Sequence, residues 1–193
     1  VKEGHLINPK VIDARTEITT QLLSDQGYIV EIVDDDGNDI QESMTRKDFE
    51  KKFFSVKTNY SFCKTFFEKA KKDPFTNEIG KSLIFCISQN HATKITHLLN
   101  QMADKLYPGE YQSDFAEQVT SEIKDSKGMT IDFSGTNNNL NGYSTKNPYY
   151  RTSKTRVCVT VGMMTTGYDC RDLLNICLMR PVYSPSDFIQ MKG

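Results

Sequence analysis

The sequence has little that would mark a metal site, a disulfide framework or a membrane protein. Its three histidines form no HExxH motif and its five cysteines form no CxxC pair, which argues against zinc and against paired disulfides. No apolar run approaches the roughly 18 residues of a membrane span. No basic segment followed by an apolar one opens the chain, so we expect no secretory signal in these residues. These absences indicate a globular cytoplasmic protein with reduced thiols.

Neither basic nor acidic residues are in clear excess. Lys and Arg number 24, Asp and Glu number 25, and the net charge is −1. This balance excludes a histone-like polycation but leaves open nucleic-acid binding through a local basic groove. A chain of 193 residues, of which 37% are hydrophobic, is long enough for one domain, or for one domain with an appendage.

Residues 1–80 indicate helices and a β-hairpin. Apolar spacing predicts a helix from Val11 to Leu23, and strand-like residues around an acidic turn predict a hairpin from Tyr28 to Glu42. Thr45 is placed to cap a further helix, and Tyr60 to Lys72 is amphipathic. We place a domain boundary near Gly80, because the pattern changes there.

From Lys81 onward, strands alternate with a helix. Strands are predicted at Ser82–Ser88, Phe115–Ile123, Arg156–Gly162 and Leu173–Met179, with a helix from Gln89 to Leu106. The most apolar of these runs are typical of strands that are buried on both faces of a parallel sheet. The fold class predicted is therefore α/β, with a parallel sheet flanked by helices. The polar, Asn-rich stretch 134–155 is long for a loop; either it is mobile and functional, or residues that belong between its ends are missing.

The tripeptide Gly80-Lys81-Ser82 looks like the end of a phosphate-binding P-loop. The position of the first P-loop glycine is occupied by Phe75, and the tripeptide opens a strand where a P-loop opens a helix. We therefore do not assign it to nucleotide binding.

The segment VCVTVGMMTTGYDC, residues 157–170, is the most informative part of the sequence. A buried strand runs into Thr160 and then into a turn with Gly167 and Asp169. Ligands of parallel sheets bind beyond the carboxyl ends of the strands, where hydroxyl and backbone N–H groups can hold phosphate. Asp169 can accept hydrogen bonds from a ribose hydroxyl there. An ordinary turn with Asp169 as a helix cap explains the same residues equally well.

Three stretches together resemble motifs IV, V and VI of the second RecA-like motor domain of superfamily-two helicases. They are KSLIFCISQNHATKI, SKTRVCVTVGMMTTGYDCRDLLNICLMRP and SPSDFIQMKG. The resemblance is closest to the R (restriction) subunit of type I restriction–modification enzymes. PKVIDARTEITTQLLS and TRKDFEKKFFS resemble the segment that joins the two motor domains of those subunits.

The resemblance implies a domain division and an incomplete motor. Residues 1–80 would form the lead-in from the first motor domain, and residues 81–193 would form a RecA-like helicase C-terminal domain, truncated within motif VI. The chain stops at Gly193, before the arginine that family members place next, so no catalytic residue is expected in it. A P-loop and a nuclease cluster are also missing from the sequence.

The resemblance also implies roles for individual residues. Four residues would line the ATP cleft: Gly167, Asp169, Gln190 and Gly193. Seven would contact DNA: Ser88, Gln89, Thr160, Thr165, Thr166, Lys154 and Arg156. For the basic residues among them, a solvated loop is the alternative interpretation.

The parent enzyme would use ATP and Mg²⁺ to translocate double-stranded DNA before cleaving it, and the isolated chain would be inactive. Its partners would be DNA, the first motor domain and the nuclease domain of the same chain, and the modification and specificity subunits. Two alternatives stay open: a non-catalytic α/β interaction module, and a lobe of another superfamily-two helicase.

Overall fold

The computed structural model describes residues 10–12, 56–134, 149–150, 152–164, 168, 170–180 and 185–192. The hairpin predicted at 28–42 and the helix capped by Thr45 lie outside the described residues, as does most of the Asn-rich stretch. Of the helix predicted from Val11 to Leu23, only Val11 and Ile12 are described; both are exposed and neither is helical.

The centre of the fold is a four-stranded parallel sheet. Its strands are β1 (Lys81–Cys86), β2 (Ala116–Gln118), β3 (Val157–Thr160) and β4 (Leu173–Met179). The strand order is β2-β3-β1-β4, and each neighbouring pair is parallel. The α/β fold class is confirmed, and the architecture is consistent with a RecA-like domain. The bounds of β4 agree with the prediction, whereas the other strands are shorter.

Four helices are described: α1 (Val56–Lys69), α2 (Gln89–Leu106), α3 (Ser126–Ser134) and α4 (Pro185–Lys192). The bounds of α2 agree with the prediction, and Ser88 caps it by accepting a hydrogen bond from the His91 N–H at 3.1 Å. The helix α3 was not predicted from the sequence. No helix in the described part of the chain is long and apolar enough to cross a membrane.

Side chains of the strands alternate between two apolar layers, as the period of a strand requires. Ile84 and Cys86 of β1 lie in one cluster with buried residues of α1 and α2. Leu83 and Phe85 lie in the other cluster with Phe133 of α3. Each fully buried side chain of this kind contributes about 1.5–3 kcal/mol. The two layers therefore account for the continuous apolar run of β1.

The domain boundary near Gly80 remains a prediction. Cys63 and Phe66 of α1, which precede it, are buried in the same cluster as Ile84 of β1. Gly80 itself is closely packed, because a Cβ atom there would lie 2.8 Å from the Lys71 carbonyl oxygen and 2.8 Å from Cβ of Leu174.

β4 forms one end of the sheet, with β1 on its inner side. Ile176 and Leu178 of this strand remain 38% and 36% exposed. No further strand lies beside β4 within the described ranges. Among the described residues, this long side of the sheet is partly apolar and pairs with no further strand.

Two buried ion pairs hold the amino edge of the sheet, which we define as the edge formed by the first residues of the four strands. The Arg156 guanidinium lies 3.3 Å from the Asp73 carboxylate, and the Lys81 ammonium lies 2.9 Å from Asp172. Both basic side chains are fully buried. Arg156 also donates to the carbonyl oxygens of Ile79, at 2.6 Å, and Ser153, at 2.9 Å.

The DNA contact of Arg156 stays a prediction, which its surroundings do not favour. Its guanidinium is buried and enclosed by protein acceptors. Burial acts to raise the pKa of Asp73. Hydrogen bonds from the Tyr150 hydroxyl and from the backbone N–H groups of Phe75 and Thr76, together with Arg156, outweigh burial and hold that pKa below its usual value. Arg156 thus fixes the segment before β3 to the turn before β1.

Candidate site at the carboxyl edge of the sheet

The carboxyl edge of the sheet, formed by the last residues of the four strands, gathers the motif-bearing segments. Cys86 pairs with Met179, and Phe85 pairs with Thr160, so β1, β3 and β4 end at the same level. The segments that follow these strands contain Ser88, the turn after Thr160, and α4. Because ligands of parallel sheets bind outside the carboxyl ends of the strands, this edge is the candidate site.

Gln89 takes part in a polar network at the carboxyl edge. Its Oε1 atom accepts a hydrogen bond from Nε2 of Gln118 at 3.2 Å, and Oε1 of Gln118 accepts one from the Thr93 hydroxyl at 2.9 Å. Ser88 and Gln89 are both partly exposed. Sequence reasoning missed Gln118 and Thr93, because their proximity depends on β2 lying beside β3. Partial exposure leaves Ser88 and Gln89 accessible to a ligand.

Thr160 is held inside the protein. The residue is fully buried, and its hydroxyl donates to the Met163 carbonyl oxygen at 3.3 Å. Contact of Thr160 with a DNA phosphate stays a prediction, which this burial does not favour. The hydroxyl instead holds the turn after β3, in which Met164 adopts a left-handed backbone conformation with φ of 63°.

Lys154 lies near the amino edge, away from Ser88 and Gln89. It comes three residues before β3 begins, and its ammonium pairs with the Asp114 carboxylate at 2.9 Å. The side chains of Lys154 and Asp114 are about a quarter exposed. Lys154 therefore lies at the same edge as Arg156, and the structure does not bring it together with Ser88 and Gln89.

The chain between β3 and β4 is held by α3 and β1. The Tyr168 hydroxyl donates to the Thr130 carbonyl oxygen at 3.2 Å, and the Cys170 thiol lies 3.6 Å from the Phe133 carbonyl oxygen. Lys81 donates to the same Phe133 oxygen at 2.7 Å and pairs with Asp172. The Lys81 ammonium is therefore committed to acceptors inside the protein.

Tyr168 and Cys170 remain neutral at physiological pH. Burial, followed by the neighbouring Cys170, raises the pKa of Tyr168, so the residue keeps its proton and stays a hydrogen-bond donor. Burial raises the pKa of the Cys170 thiol to about 12, although Lys81 opposes that shift. All five cysteines are free, as expected, and three of them are buried. The thiols are therefore not nucleophiles at neutral pH.

α4 lies against the turn that follows β3. Its Met191 is buried in the same cluster as Met164 and Cys158, whereas Gln190 is exposed. The predicted site residues Thr165, Thr166, Gly167, Asp169 and Gly193 lie outside the described residues. Their roles remain predictions. Gln190 is the one predicted ATP-cleft residue that the structure describes, and its side chain is accessible.

Arg180 adds a positive charge to the carboxyl edge. It follows the last residue of β4, is partly exposed, and donates from Nη1 to the Val161 carbonyl oxygen at 3.0 Å. This bond joins the segment after β4 to the turn after β3. Sequence reasoning gave Arg180 no role, although a basic residue directly after a buried strand was the available signal.

A metal ion has no obvious ligands in the described part of the chain. No group of three or more His, Cys, Asp or Glu side chains there is arranged to hold one. The carboxyl edge instead offers the amides of Gln89 and Gln190, the hydroxyl of Ser88 and the guanidinium of Arg180. These groups donate hydrogen bonds to phosphate and sugar oxygens.

Similarity to known proteins was found among solved structures. No family model and no curated protein matches the chain. The chain is similar to the fragment structure assigned to an HsdR subunit of a type I restriction enzyme from Vibrio vulnificus YJ016, with 30% sequence identity and a TM-score of 0.49. The match covers 79% of this chain and 26% of that one, so the chain spans about a quarter of that fragment's length.

Proposed function

We propose that the chain is the second motor lobe of the R subunit of a type I restriction–modification enzyme, and that it helps to couple ATP hydrolysis to translocation of double-stranded DNA. The observation that carries the proposal is the meeting of three motif-bearing segments at the carboxyl edge. They follow β1, β3 and β4, and each has the sequence pattern of a different helicase motif.

The nucleotide side of this proposal involves α4 and the segment between β3 and β4. Gln190 is exposed on α4, and Arg180 directs a guanidinium to the same edge. Gly167 and Asp169 lie between β3 and β4 in the chain. ATP with Mg²⁺ supplies the phosphoryl group. Amide and guanidinium donors fit the phosphate and ribose oxygens, whereas Mg²⁺ needs carboxylate and phosphate oxygens, which the facing lobe and ATP would provide.

Phosphoryl transfer depends on positioning and on neutralising charge more than on covalent chemistry. This lobe therefore acts by presenting its edge to a nucleotide that the first motor domain holds. The lobe has no P-loop, so the isolated chain is expected to hydrolyse no ATP.

The DNA side of the proposal involves the start of α2. Ser88 and Gln89 are partly exposed there, and the bond from Gln118 orients the Gln89 amide. Contacts of this kind with the DNA backbone set affinity and register but carry no sequence information. Recognition of a DNA site would belong to the specificity subunit, and cleavage to the nuclease domain of the R subunit. These partners act in the cytoplasm, where we expect the protein.

The proposal is tested in the full-length R subunit assembled with its modification and specificity subunits. Asp169→Ala is expected to lower DNA-stimulated ATP hydrolysis by about 10²-fold, because the group that links nucleotide to DNA is removed. Glu110→Ala, which removes an exposed carboxylate from the α2–β2 connection, is the matched control and should retain wild-type turnover.

Two outcomes would count against the proposal. Wild-type stimulation in Asp169→Ala would remove the coupling role of that residue. A wild-type complex without any DNA-dependent ATP hydrolysis would exclude the motor function and favour the non-catalytic interaction module.

A further inference from the structure

Two glutamine side chains face each other at the carboxyl edge of the sheet. Gln118 is the last residue of β2, and Gln89 is the first residue of α2. Nε2 of Gln118 donates to Oε1 of Gln89 at 3.2 Å, although the two residues are 29 positions apart in the chain. The position of β2 beside β3, where Gln118 pairs with Val159, therefore decides what the Gln89 amide contacts.

Gln118 is itself held by two hydroxyl groups. Its Oε1 atom accepts a hydrogen bond from the Thr93 hydroxyl at 2.9 Å, and its Nε2 atom lies 3.5 Å from the hydroxyl of Thr120, which is buried. An amide accepts at one end and donates at the other, so these contacts turn the oxygen of Gln118 towards Thr93 and its nitrogen towards Gln89. The orientation of Gln118 is thus set by its neighbours on α2 and after β2.

This arrangement leaves the donor end of the Gln89 amide for a ligand. Its Oε1 atom is occupied by Gln118, and no acceptor among the described residues bonds to its Nε2 atom. The side chain is partly exposed. Phosphate oxygens only accept hydrogen bonds, so they can bind an amide that presents its N–H groups, whereas a reversed amide would present a carbonyl oxygen and repel them.

Stability alone does not explain the network. Fixing a glutamine rotamer costs conformational entropy, and one or two neutral hydrogen bonds only about offset that cost. Gln89 and Gln118 are both partly exposed, so each amide could bond to water instead. What the network provides is a fixed orientation of the Gln89 amide, which water would not give.

We propose that Gln118 is a positioning residue, which turns the donor end of the Gln89 amide outward so that Gln89 donates a hydrogen bond to a backbone phosphate of the DNA. This inference rests on the proposed function. Gln118 needs no contact with DNA of its own. Because it acts through Gln89, its effect on DNA affinity should disappear once the Gln89 amide is removed, and a merely structural residue would not behave in this way.

Gln118→Met is the variant that tests this inference most sharply. It removes the amide but keeps an unbranched side chain of similar length, and it is made both in the wild-type protein and in Gln89→Ala. Asn100→Ala is the matched control, because Asn100 holds the first residue of β2. Its Nδ2 atom donates to the Ala116 carbonyl oxygen at 2.9 Å, and its Oδ1 atom accepts from the Ala116 N–H at 2.8 Å.

The measurement is the affinity of the full-length R subunit for a labelled DNA duplex without a recognition site, by fluorescence anisotropy at several salt concentrations, alongside thermal melting. Gln118→Met and Gln89→Ala are each expected to weaken binding by roughly three- to tenfold, the range that one lost hydrogen bond gives. Gln118→Met should add less than about twofold in the Gln89→Ala background. The salt dependence should not change, because no cation is removed from a phosphate.

Asn100→Ala should lower the melting temperature at least as much as Gln118→Met does, because it removes two hydrogen bonds to the backbone of β2. Its DNA affinity should stay within about twofold of wild type, since the amides of Gln89 and Gln118 are untouched.

Three results would overturn the positioning role and leave the motor function standing, provided that the wild-type subunit binds the duplex. They are wild-type affinity in Gln118→Met or in Gln89→Ala, losses that add fully in the double variant, and an equal loss in Asn100→Ala. A wild-type subunit that binds no duplex DNA would reject the proposed function and this inference with it.

Discussion

At the amino edge of the sheet, Lys81 and Arg156 are fully buried and paired with carboxylates, whereas Arg180 at the carboxyl edge is partly exposed and bonded only to a backbone carbonyl among its described neighbours. The remaining side chains of the carboxyl-edge network, such as Gln89 and Gln118, are neutral. Basic residues therefore serve two purposes in one small domain. The basic residues at the amino edge are buried in ion pairs, whereas the basic residue that follows the end of β4 is partly exposed. All of them are cations, so their place relative to the strands, and not their charge, distinguishes these two roles.

The two edges also differ in how tightly their backbone is packed. Gly80 precedes β1 in a space that a methyl group would overfill, while Gly162 follows β3 with no described atom within 4 Å of a Cβ. A rigid amino edge and a more open carboxyl edge suit a sheet whose ligands bind at the latter. The following predictions test that contrast, beginning with the largest effect.

Arg156→Met is expected to be the most damaging change. It leaves the Asp73 carboxylate buried without its cation and removes two hydrogen bonds to backbone carbonyls, which should lower the free energy of unfolding by about 3–5 kcal/mol. Urea denaturation followed by circular dichroism measures the loss.

Lys154→Met is the matched control, since Lys154 is two residues away and its ion pair is partly exposed. It should cost no more than about 1 kcal/mol. Equal losses for the two variants would mean that Arg156 is no more important to the amino edge than a surface cation.

Acid should weaken the region next to the carboxyl edge before it weakens the amino edge. Burial, with a smaller effect of Lys94, lowers the pKa of His91 from 6.5 to about 4, so the unfolded chain takes up a proton first as the pH falls. Stability should therefore be full above pH 6.5 and fall as the pH drops towards 4, by up to about 3 kcal/mol. Because the pKa of Asp73 is lowered in the folded protein, the stability that Asp73 contributes is lost only below about pH 3.8.

The measurement is the free energy of unfolding of wild type and His91→Gln between pH 7 and pH 3. The amide of Gln can still reach Asn59, which His91 contacts at 3.2 Å, but it does not titrate. We expect a flatter curve for His91→Gln between pH 6.5 and 4, and the same decline as wild type below that range. Parallel curves throughout would show that His91 is not the group that responds.

Gly80→Ala should have a smaller effect on stability than Arg156→Met or the protonation of His91. The new Cβ would contact the Lys71 carbonyl oxygen and Leu174, and the required backbone shift should cost about 1–3 kcal/mol. Gly162→Ala is the control at the carboxyl edge, where the change should stay within about 0.5 kcal/mol. Thermal denaturation of both variants measures the difference. A cost for Gly162→Ala as large as that for Gly80→Ala would contradict the contrast in packing.

The elements with strong local patterns were predictable from the sequence. The helix α2 combines a serine cap with apolar residues at helical spacing, and β4 is an apolar run between polar residues, so both have the predicted bounds. The nine-residue α3 has only a weak apolar face, so its formation depends on the packing of Phe133 in the core. β2 ends early because the chain turns at Thr120, whose carbonyl accepts from Ile123.

The burial and the hydrogen-bond partners of polar side chains were harder to predict. Arg156 finds its carboxylate 83 residues earlier in the chain, and no local pattern reports such a partner. The Thr160 hydroxyl is likewise satisfied by a turn whose geometry depends on the left-handed Met164. By contrast, the resemblance indicated Ser88, Gln89 and Gln190, and their side chains are exposed or partly exposed in the structure.

The outer strand of the described sheet, β4, has a practical consequence. Its sequence, LLNICLM, contains no charge and no proline to discourage pairing with another chain, and Ile176 and Leu178 are partly exposed on it. Copies of the purified chain are expected to pair along this strand as their concentration rises. Solubility, more than folding, is therefore expected to limit biophysical work on the isolated chain.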